Sequence, residues 1–451
     1  MAKFKRKSAE FEDFKSFKID SRSFSRQFSG IYKARLASLK VEVLKRAKLK
    51  WSDRDFLQIV DLTKDKYEET PCIIIGTLYK HQELKPSILK EMSEELQTIP
   101  QPPRQNYCSP RDSLFLEDDV ARVKLVGNLN VDTLVTGLVC AVNGHGLSDG
   151  TFWVDDFCFP GLHLKPLTQT PSSCAKDHGK FLLFISGLDF INQGACLAQQ
   201  LLSDWINGFV GDESFQEKAA SIVRVIIAGN SIRGSPETFT RKGYFENKKK
   251  FSLFAANINV ATNRFDSFIS RIAHTCTVTL LPGEFDPTCH SLPQHPIHPH
   301  ILPLTLKVGT LHGATNPWIG KIGSRIIGGS SGQPILDIIK VSNVDVSPIH
   351  WLEKTLEWMH FAPTAPDTLA EYPFDQSDSL VMNVHPNIYF AGNMEKFETK
   401  LLQGINGKGD YEGQPIRLIC IPKFATTQTA VLVDLESLDA KQISFGSIQL
   451  E

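Results

Sequence analysis

Four short loops in the second half of the chain combine glycine with small polar side chains: Ile185-Ser-Gly-Leu-Asp189, Ala228-Gly-Asn-Ser231, Leu281-Pro-Gly-Glu-Phe-Asp286 and Ala391-Gly-Asn-Met394. Each follows an apolar run that reads as a buried strand, and in α/β sheets ligands bind just past the carboxyl ends of strands. The residues offered there are Ser186, Gly187, Gly229, Asn230, Gly283, Glu284, Asp286, Gly392 and Asn393. Glu284 and Asp286 are the charged members. They could hold a stray cation, but with no imidazole beside them a cap on the following helix or turn is the stronger expectation.

Three other patterns carry chemistry on paper. Gly328-Gly-Ser330-Ser-Gly332 matches the Gly-x-Ser-x-Gly turn that presents a serine nucleophile, with Asp375 and His385 later in the required order. Gln333-Pro334 follows at once, and five residues of Gly and Ser match readily by chance, so no nucleophile is assigned. His290, His295, His298 and His300 suggest a metal cluster, but the prolines of Leu292-Pro-Gln-His-Pro-Ile-His-Pro-His300 impose an extended chain that splays the rings. A structural loop is expected. Gly404-x-x-Gly407-x-Gly409 is a lone glycine pattern with no strand before it.

The elements that must position these loops alternate as strand and helix. Strands are predicted at 181–185, 221–228, 277–281, 324–327, 387–391, 416–421 and 430–434, with helices at 195–209 and 254–273, which indicates one layered α/β domain over 181–446. Before it, β-type segments at 72–75, 122–126, 133–142 and 152–159, with the hairpin dipeptide Asp149-Gly150, suit a small barrel of the OB type over 61–165. Its acidic residues Glu117, Asp118, Asp119, Asp155 and Asp156 line up poorly with a phosphate-tracking groove, so protein docking is favoured over single-strand binding. Residues 166–180, rich in Pro, Ser and Thr, read as a linker. Residues 21–60 read as an amphipathic helical segment in which Phe24, Phe28, Ile31, Tyr32, Leu36, Leu39, Val43, Leu44 and Ala47 recur at helical steps behind capping candidates at Ser21 to Ser25.

Charge is unevenly spread. The 451 residues carry a net charge of -1, but residues 1–50 hold 15 Lys/Arg against 5 Asp/Glu, a basic arm of +10 on a body of -11. Residues 1–20 are expected as a disordered basic tail whose Lys3, Lys5, Arg6 and Lys7 could serve nuclear import, touch nucleic acid or stay solvated. The 9 cysteines are scattered without a C-x-x-C pair, which excludes a disulfide framework or zinc ribbon and points to a reducing compartment. No apolar run reaches the length of a membrane span, and no secretory leader is read.

The four strand-end loops resemble those of the calcineurin-like metallophosphoesterases. In that family the corresponding positions carry Asp-x-His, Gly-Asp, Gly-Asn-His-Asp/Glu and Gly-His-x-His and hold two divalent metals that activate water. Here Ser186-Gly187-Leu188 replaces the first motif and Asn230 stands where a carboxylate would bridge the metals. The Gly283-Glu284-Phe285 and Gly392-Asn393-Met394 loops lack their histidines. The resemblance therefore implies an inactivated fold with no cofactor.

Longer strings are more specific. Leu281-Pro-Gly-Glu-Phe-Asp-Pro-Thr288, Pro363-Thr-Ala-Pro-Asp-Thr-Leu369 with Tyr372-Pro-Phe374, and Thr426-Thr-Gln-Thr-Ala430 resemble signatures of the B-subunit family of replicative DNA polymerases. Ser23-Phe-Ser-Arg-Gln27, Pro86-Ser-Ile-Leu89 and Pro100-Gln-Pro-Pro-Arg104 resemble its polymerase delta small-subunit group, and the likeness runs from about residue 21 to 446. It implies a nuclear, non-catalytic scaffold with an OB-fold domain beside an inactivated phosphoesterase-like domain. Its implied partners are the cysteine-rich C-terminal domain of the catalytic subunit, the third subunit and, as a further candidate, the fourth, with DNA contacted weakly or indirectly. Archaeal family-D relatives keep the metal ligands and act as nucleases, so the departures in the four loops are what remove that activity here. The alternative is a divergent metal-dependent phosphodiesterase or nuclease using Glu284, Asp286, Asn230 and Asn393.

Overall fold

The alternation of apolar and polar residues along Ser113–Glu117 and Arg122–Gly127 buries Leu114, Leu116, Val123 and Leu125 on one side, and a sheet with one such face must close or be covered. The computed structural model describes residues 4–19, 27–63, 70–85, 106–162, 177–192, 196–235, 248–374, 376–403 and 414–446, with 248–256 as backbone alone. A short strand β1 (Phe11–Asp13) and the helix α1 (Ser29–Lys50) come first. Six strands follow, β2 (Asp55–Leu57), β3 (Cys72–His81), β4 (Ser113–Glu117), β5 (Arg122–Gly127), β6 (Val139–Gly146) and β7 (Thr151–Cys158). They run in the order β2-β3-β4-β5-β7-β6, and β6 returns to pair with β3, closing a five-stranded barrel. β5 and β7 are parallel, whereas the closing pair β3 and β6 is antiparallel. The Asp149-Gly150 hairpin lies where expected, with Gly150 at φ 81° and Thr151 N–H donating to Asp149 Oδ1 at 2.9 Å. β6 begins at Val139 rather than Thr133, because Gly137 at φ 90° keeps the preceding residues in a turn.

The second domain runs β8 (Phe181–Ile185), α2 (Leu197–Ile206), α3 (Glu213–Ala220), β9 (Ile222–Ala228), α4 (Lys248–Ala273) and β10 (Thr277–Leu281). It continues with α5 (Pro303–Leu306), β11 (Leu311–Gly313), β12 (Trp318–Ile322), β13 (Arg325–Ser330), α6 (Gln333–Val341) and α7 (Pro348–Glu357). β14 (Ile388–Met394), β15 (Glu398–Leu402), β16 (Ile416–Pro422), α8 (Phe424–Thr427), β17 (Thr429–Asp434) and β18 (Ala440–Ser444) complete it. Two mixed six-stranded sheets result, β11-β10-β9-β8-β17-β18 and β1-β12-β13-β14-β16-β15. Period-two alternation decides which side each residue serves. Leu182 and Phe184 of β8 face the opposite sheet, where Phe184 meets Phe390 at 5.2 Å between ring centres, while Leu183 and Ile185 pack under α2 and α4.

Residues 4–19 are not the disordered tail expected from their charge. β1 pairs antiparallel with β12 in the register Phe11↔Ile322 to Asp13↔Gly320. The Phe11 ring stacks on Trp318 and lies 3.6 Å beneath the Arg224 guanidinium. Arg6 Nη1 donates to Ala219 O at 2.9 Å and to Ile222 O at 3.0 Å, and Nη2 donates to Ile206 O, so one guanidinium serves the carbonyl ends of α2 and α3. Arg6 is thus withdrawn from the role of a free import or nucleic-acid contact. The linker expected at 166–180 lies mostly outside the described residues, but Asp177 at its end is buried and accepts from Ser324 N and Oγ at 2.8 and 2.6 Å.

α1 starts at Ser29 behind Phe28, with no side-chain cap, and the candidates Ser21 to Ser25 lie outside the described residues. It turns Ile31, Leu36, Leu39, Val43 and Ala47 inward. One continuous core joins this helix face and barrel residues such as Ile73 and Phe152 to Ile338, Trp351 and Leu356 of α6 and α7. The join is polar at one point. Arg35, fully buried, donates from Nε to Asp378 Oδ2 at 2.7 Å, from Nη1 to Pro363 O and Gly137 O at 2.8 and 3.2 Å, and from Nη2 to Ala365 O at 2.7 Å. Glu371 lies 3.8 Å from Nη2. Burial opposes the Arg35 cation, but the charges of Asp378 and Glu371 hold its pKa above the ordinary value.

His360 Nε2 lies 2.9 Å from Asp378 Oδ2, and its Nδ1 accepts from Ala362 N at 3.1 Å, which fixes the neutral Nε2–H form. Burial first, and the Arg35 charge second, push this imidazole down to about 4. The unfolded chain therefore binds more protons than the folded one between about 4 and 6.5, and the stability tied to His360 is lost as pH falls through that window. Glu371, raised by burial and by Asp378, has the opposite sign, so the wild-type slope mixes the two. Comparing wild type with His360→Gln isolates the histidine: urea midpoints measured from pH 7 to 4 are expected to fall more steeply for wild type, by about 3 kcal/mol over the window. Parallel curves would refute the assignment.

Candidate functional site

β8, β9 and β10 are parallel neighbours in one sheet and β13, β14 and β16 in the other, so the four Gly-polar loops converge at one edge of the sandwich. The loops touch directly. Gly187 N donates to Gly229 O at 2.9 Å, and Asn393 N donates to Ser186 Oγ at 2.9 Å. Asn393, in left-handed backbone at φ 57°, spans the two sheets by donating from Nδ2 to Ala228 O at 3.1 Å and Ser331 O at 2.8 Å. Asn230, at φ 52°, accepts from Phe285 N through Oδ1 at 3.3 Å. Both asparagines hold loops together. Gly283 explains how closely they pack: a Cβ there would sit 2.1 Å from Asn230 N.

Asp286 is the buried carboxylate of the group, and backbone donors surround it. Oδ2 accepts from Gly283 N and Ser231 N at 2.9 and 3.1 Å, and Oδ1 accepts from Ile232 N and Arg233 N at 2.9 and 3.4 Å. Burial raises its pKa, and these four N–H groups work against the rise. The expectation of a cap on the following helix or turn is corrected: Asp286 braces its own turn and the loop after β9. Glu284, half-buried, takes no part in this brace.

A buried amide network beside the loops was not anticipated from sequence. Asn316 Nδ2 lies 2.8 Å from Gln294 Oε1 and 2.6 Å from both Ser331 Oγ and Gln333 Oε1, while Gln294 Nε2 donates to Gly283 O at 3.2 Å and Cys289 O at 2.9 Å. Gln294 comes from the His-Pro segment, so that segment packs against the site through its glutamine. His298 Nδ1 accepts from His300 N at 3.3 Å. Among the described residues no group of three or more His, Cys, Asp or Glu could hold a metal ion. The Gly-x-Ser-x-Gly turn does join a strand to a helix, but Ser330 is buried, accepts from Gly332 N at 3.2 Å and has no positive φ, unlike a strained, exposed nucleophile. Asp375 and the 404–409 glycine pattern lie outside the described residues.

A closed barrel is thus joined through one core to a two-sheet α/β domain whose strand-end loops are braced by asparagine and aspartate. Residues 27–157 match the family described as DNA polymerase delta subunit OB-fold domain, and residues 182–399 match the family of the B subunit of DNA polymerases alpha and epsilon. Among curated relatives, DNA polymerase delta subunit 2 of Drosophila melanogaster is 35% identical over 98% of both chains. The DNA polymerase delta small subunit of Arabidopsis thaliana is 36% identical over 98% of this chain and 97% of its own, and that of Oryza sativa subsp. japonica is 37% identical over 84% and 85%. The chain belongs to the DNA polymerase delta small-subunit family.

Proposed function

We propose that the chain is a non-catalytic accessory subunit of DNA polymerase delta, a scaffold for replication and repair synthesis in the nucleus. In this reading the second domain is a calcineurin-like phosphoesterase frame whose metal loops have become structural braces. The observation that carries it is Asp286: both of its oxygens accept backbone N–H groups, which leaves the one buried acid of the strand-end loops committed to the fold. Asn230 and Asn393, neutral and turned into loop contacts, support the same reading. The proposed partners are the cysteine-rich C-terminal domain of the catalytic subunit, the third subunit and, as a further candidate, the fourth, with DNA contacted weakly or indirectly.

Mixing the purified chain with the catalytic subunit's C-terminal domain at micromolar concentration is expected to give a stoichiometric complex on gel filtration. Failure to form it overturns the scaffold role. The same preparation, given manganese and a generic phosphodiester, is expected to leave the substrate intact. Cleavage that disappears in Asp286→Ala without loss of folding would establish the metal-dependent phosphodiesterase instead.

A further inference from the structure

α4 presents a continuous outer stripe. Val260, Asn263, Arg264, Ser267 and Arg271 recur at three- and four-residue steps, opposite Ala261, Phe265, Phe268, Ile269 and Ile272, which are buried. Two hollows of about 570 and 580 Å³ lie along this stripe, one lined by residues of α2 and the other by residues of α5. Both are lined by Ser267 and Arg271, so they form one trough over the helix. Leu197, 73% exposed, lines the first, and Leu304, 46% exposed, lines the second, with Leu306 and Val260 also exposed. Leu197 in one hollow and Leu304 in the other leave apolar surface uncovered along the trough.

The lining carries three permanent cations, Arg264, Arg271 and Lys307, and no carboxylate. Arg271 is also paired with Asp204 at 2.5 Å, and the Arg264 guanidinium lies 6.0 Å from the Phe190 ring centre, so both are positioned at the trough wall. We propose that this trough docks an acidic amphipathic helix of a partner protein, its apolar side chains seated over Leu197 and Leu304 and its carboxylates directed to Arg264, Arg271 and Lys307. The run from Val260 to His274 spans about 21 Å, which accommodates a helix of about four turns. The exposed apolar residues of the lining are the leucines Leu197 and Leu304, its aromatics Phe190 and Phe268 being buried, which fits an apolar helix face better than stacked bases. The proposal does not rest on the accessory-subunit reading.

The test uses the full chain and a fluorescently labelled synthetic helix of about 16 residues, with Leu at i, i+3, i+4 and i+7 and Glu on both flanks, compared by anisotropy with the same helix carrying Lys in place of Glu. The Glu helix is expected to bind about tenfold more tightly at low salt, and the gap should narrow as salt rises. Arg264→Glu combined with Lys307→Glu should reverse the preference, and gained affinity for the Lys helix also shows that the variant is folded. Leu304→Asp should weaken both helices. Equal binding of the two, no binding, or a preference insensitive to charge reversal overturns the proposal. So does self-association by sedimentation that Leu304→Asp abolishes, which would assign the trough to a second copy of the chain.

Discussion

Arg35→Ala is expected to lower the stability of the whole chain by about 3–5 kcal/mol, the range seen when one partner of a buried ion pair is removed. Three parts of the molecule meet at this guanidinium: α1 supplies it, the barrel contributes Gly137 O, and the second domain contributes Asp378, Pro363 O and Ala365 O. Truncation leaves a carboxylate and three carbonyls facing a cavity that water does not replace at full strength. The Gly137 conformation is part of the same device, since a Cβ there would lie 2.1 Å from Pro363 O and 2.6 Å from Arg35 Nη1. Arg35→Lys should recover little, because a point ammonium cannot supply donors in the planar fork that this site uses. The effect should appear in urea unfolding as one shifted transition, because barrel and second domain share a core. A second arm checks that the pair itself matters: Arg35→Met with Asp378→Asn should cost less than the two single changes added together. A loss below about 1 kcal/mol for Arg35→Ala would refute the node, since that is the worth of an exposed ion pair.

Most of the barrel strands and the strand-end loops were legible because their signals are local. The period-two alternation of β5 and the Asp149-Gly150 hairpin each show within ten residues, and Ser186, Asn230, Asp286 and Asn393 announced themselves by following apolar runs, whereas the five residues of β4 were not read as a strand. The rest depends on distant partners. Arg35 looks like one more cation on a Lys-rich helix, and what buries it is Asp378, 343 residues later. Residues 4–19 look like a tail because order there comes from β12 and Trp318, near residue 320. Gln294, Asn316, Ser331 and Gln333 sit in loops or at a helix start with no periodicity, and their shared network follows from how two sheets bring loop ends together. The one partial signal was Ser331, inside a glycine-serine turn whose pattern points to a nucleophile rather than to a buried hydrogen-bond network.

Asp286→Asn separates the two readings of the strand-end loops, because a metal ligand and a backbone brace fail differently. Asparagine keeps one oxygen, so two of the four N–H donors of Gly283, Ser231, Ile232 and Arg233 would face an amide NH2 in place of an acceptor. At about 1–3 kcal/mol for each donor left unsatisfied, the expected loss for the two donors is about 2–6 kcal/mol, and Asp286→Ala should cost more than Asp286→Asn because all four donors lose their partner. Gly283→Ala should act in the same direction through geometry, since its Cβ would meet Asn230 N at 2.1 Å and push the loops apart. Neither change should alter the divalent metal content of the purified protein, measured by elemental analysis before and after mutation. Were Asp286 a ligand, the neutral isostere would relieve a buried charge and leave folding nearly intact while bound metal disappeared. A stable Asp286→Asn protein that has lost stoichiometric metal would therefore sink the brace and restore the phosphoesterase, whereas a destabilised one with unchanged metal content leaves Asp286 as the fastening between the loops after β9 and β10.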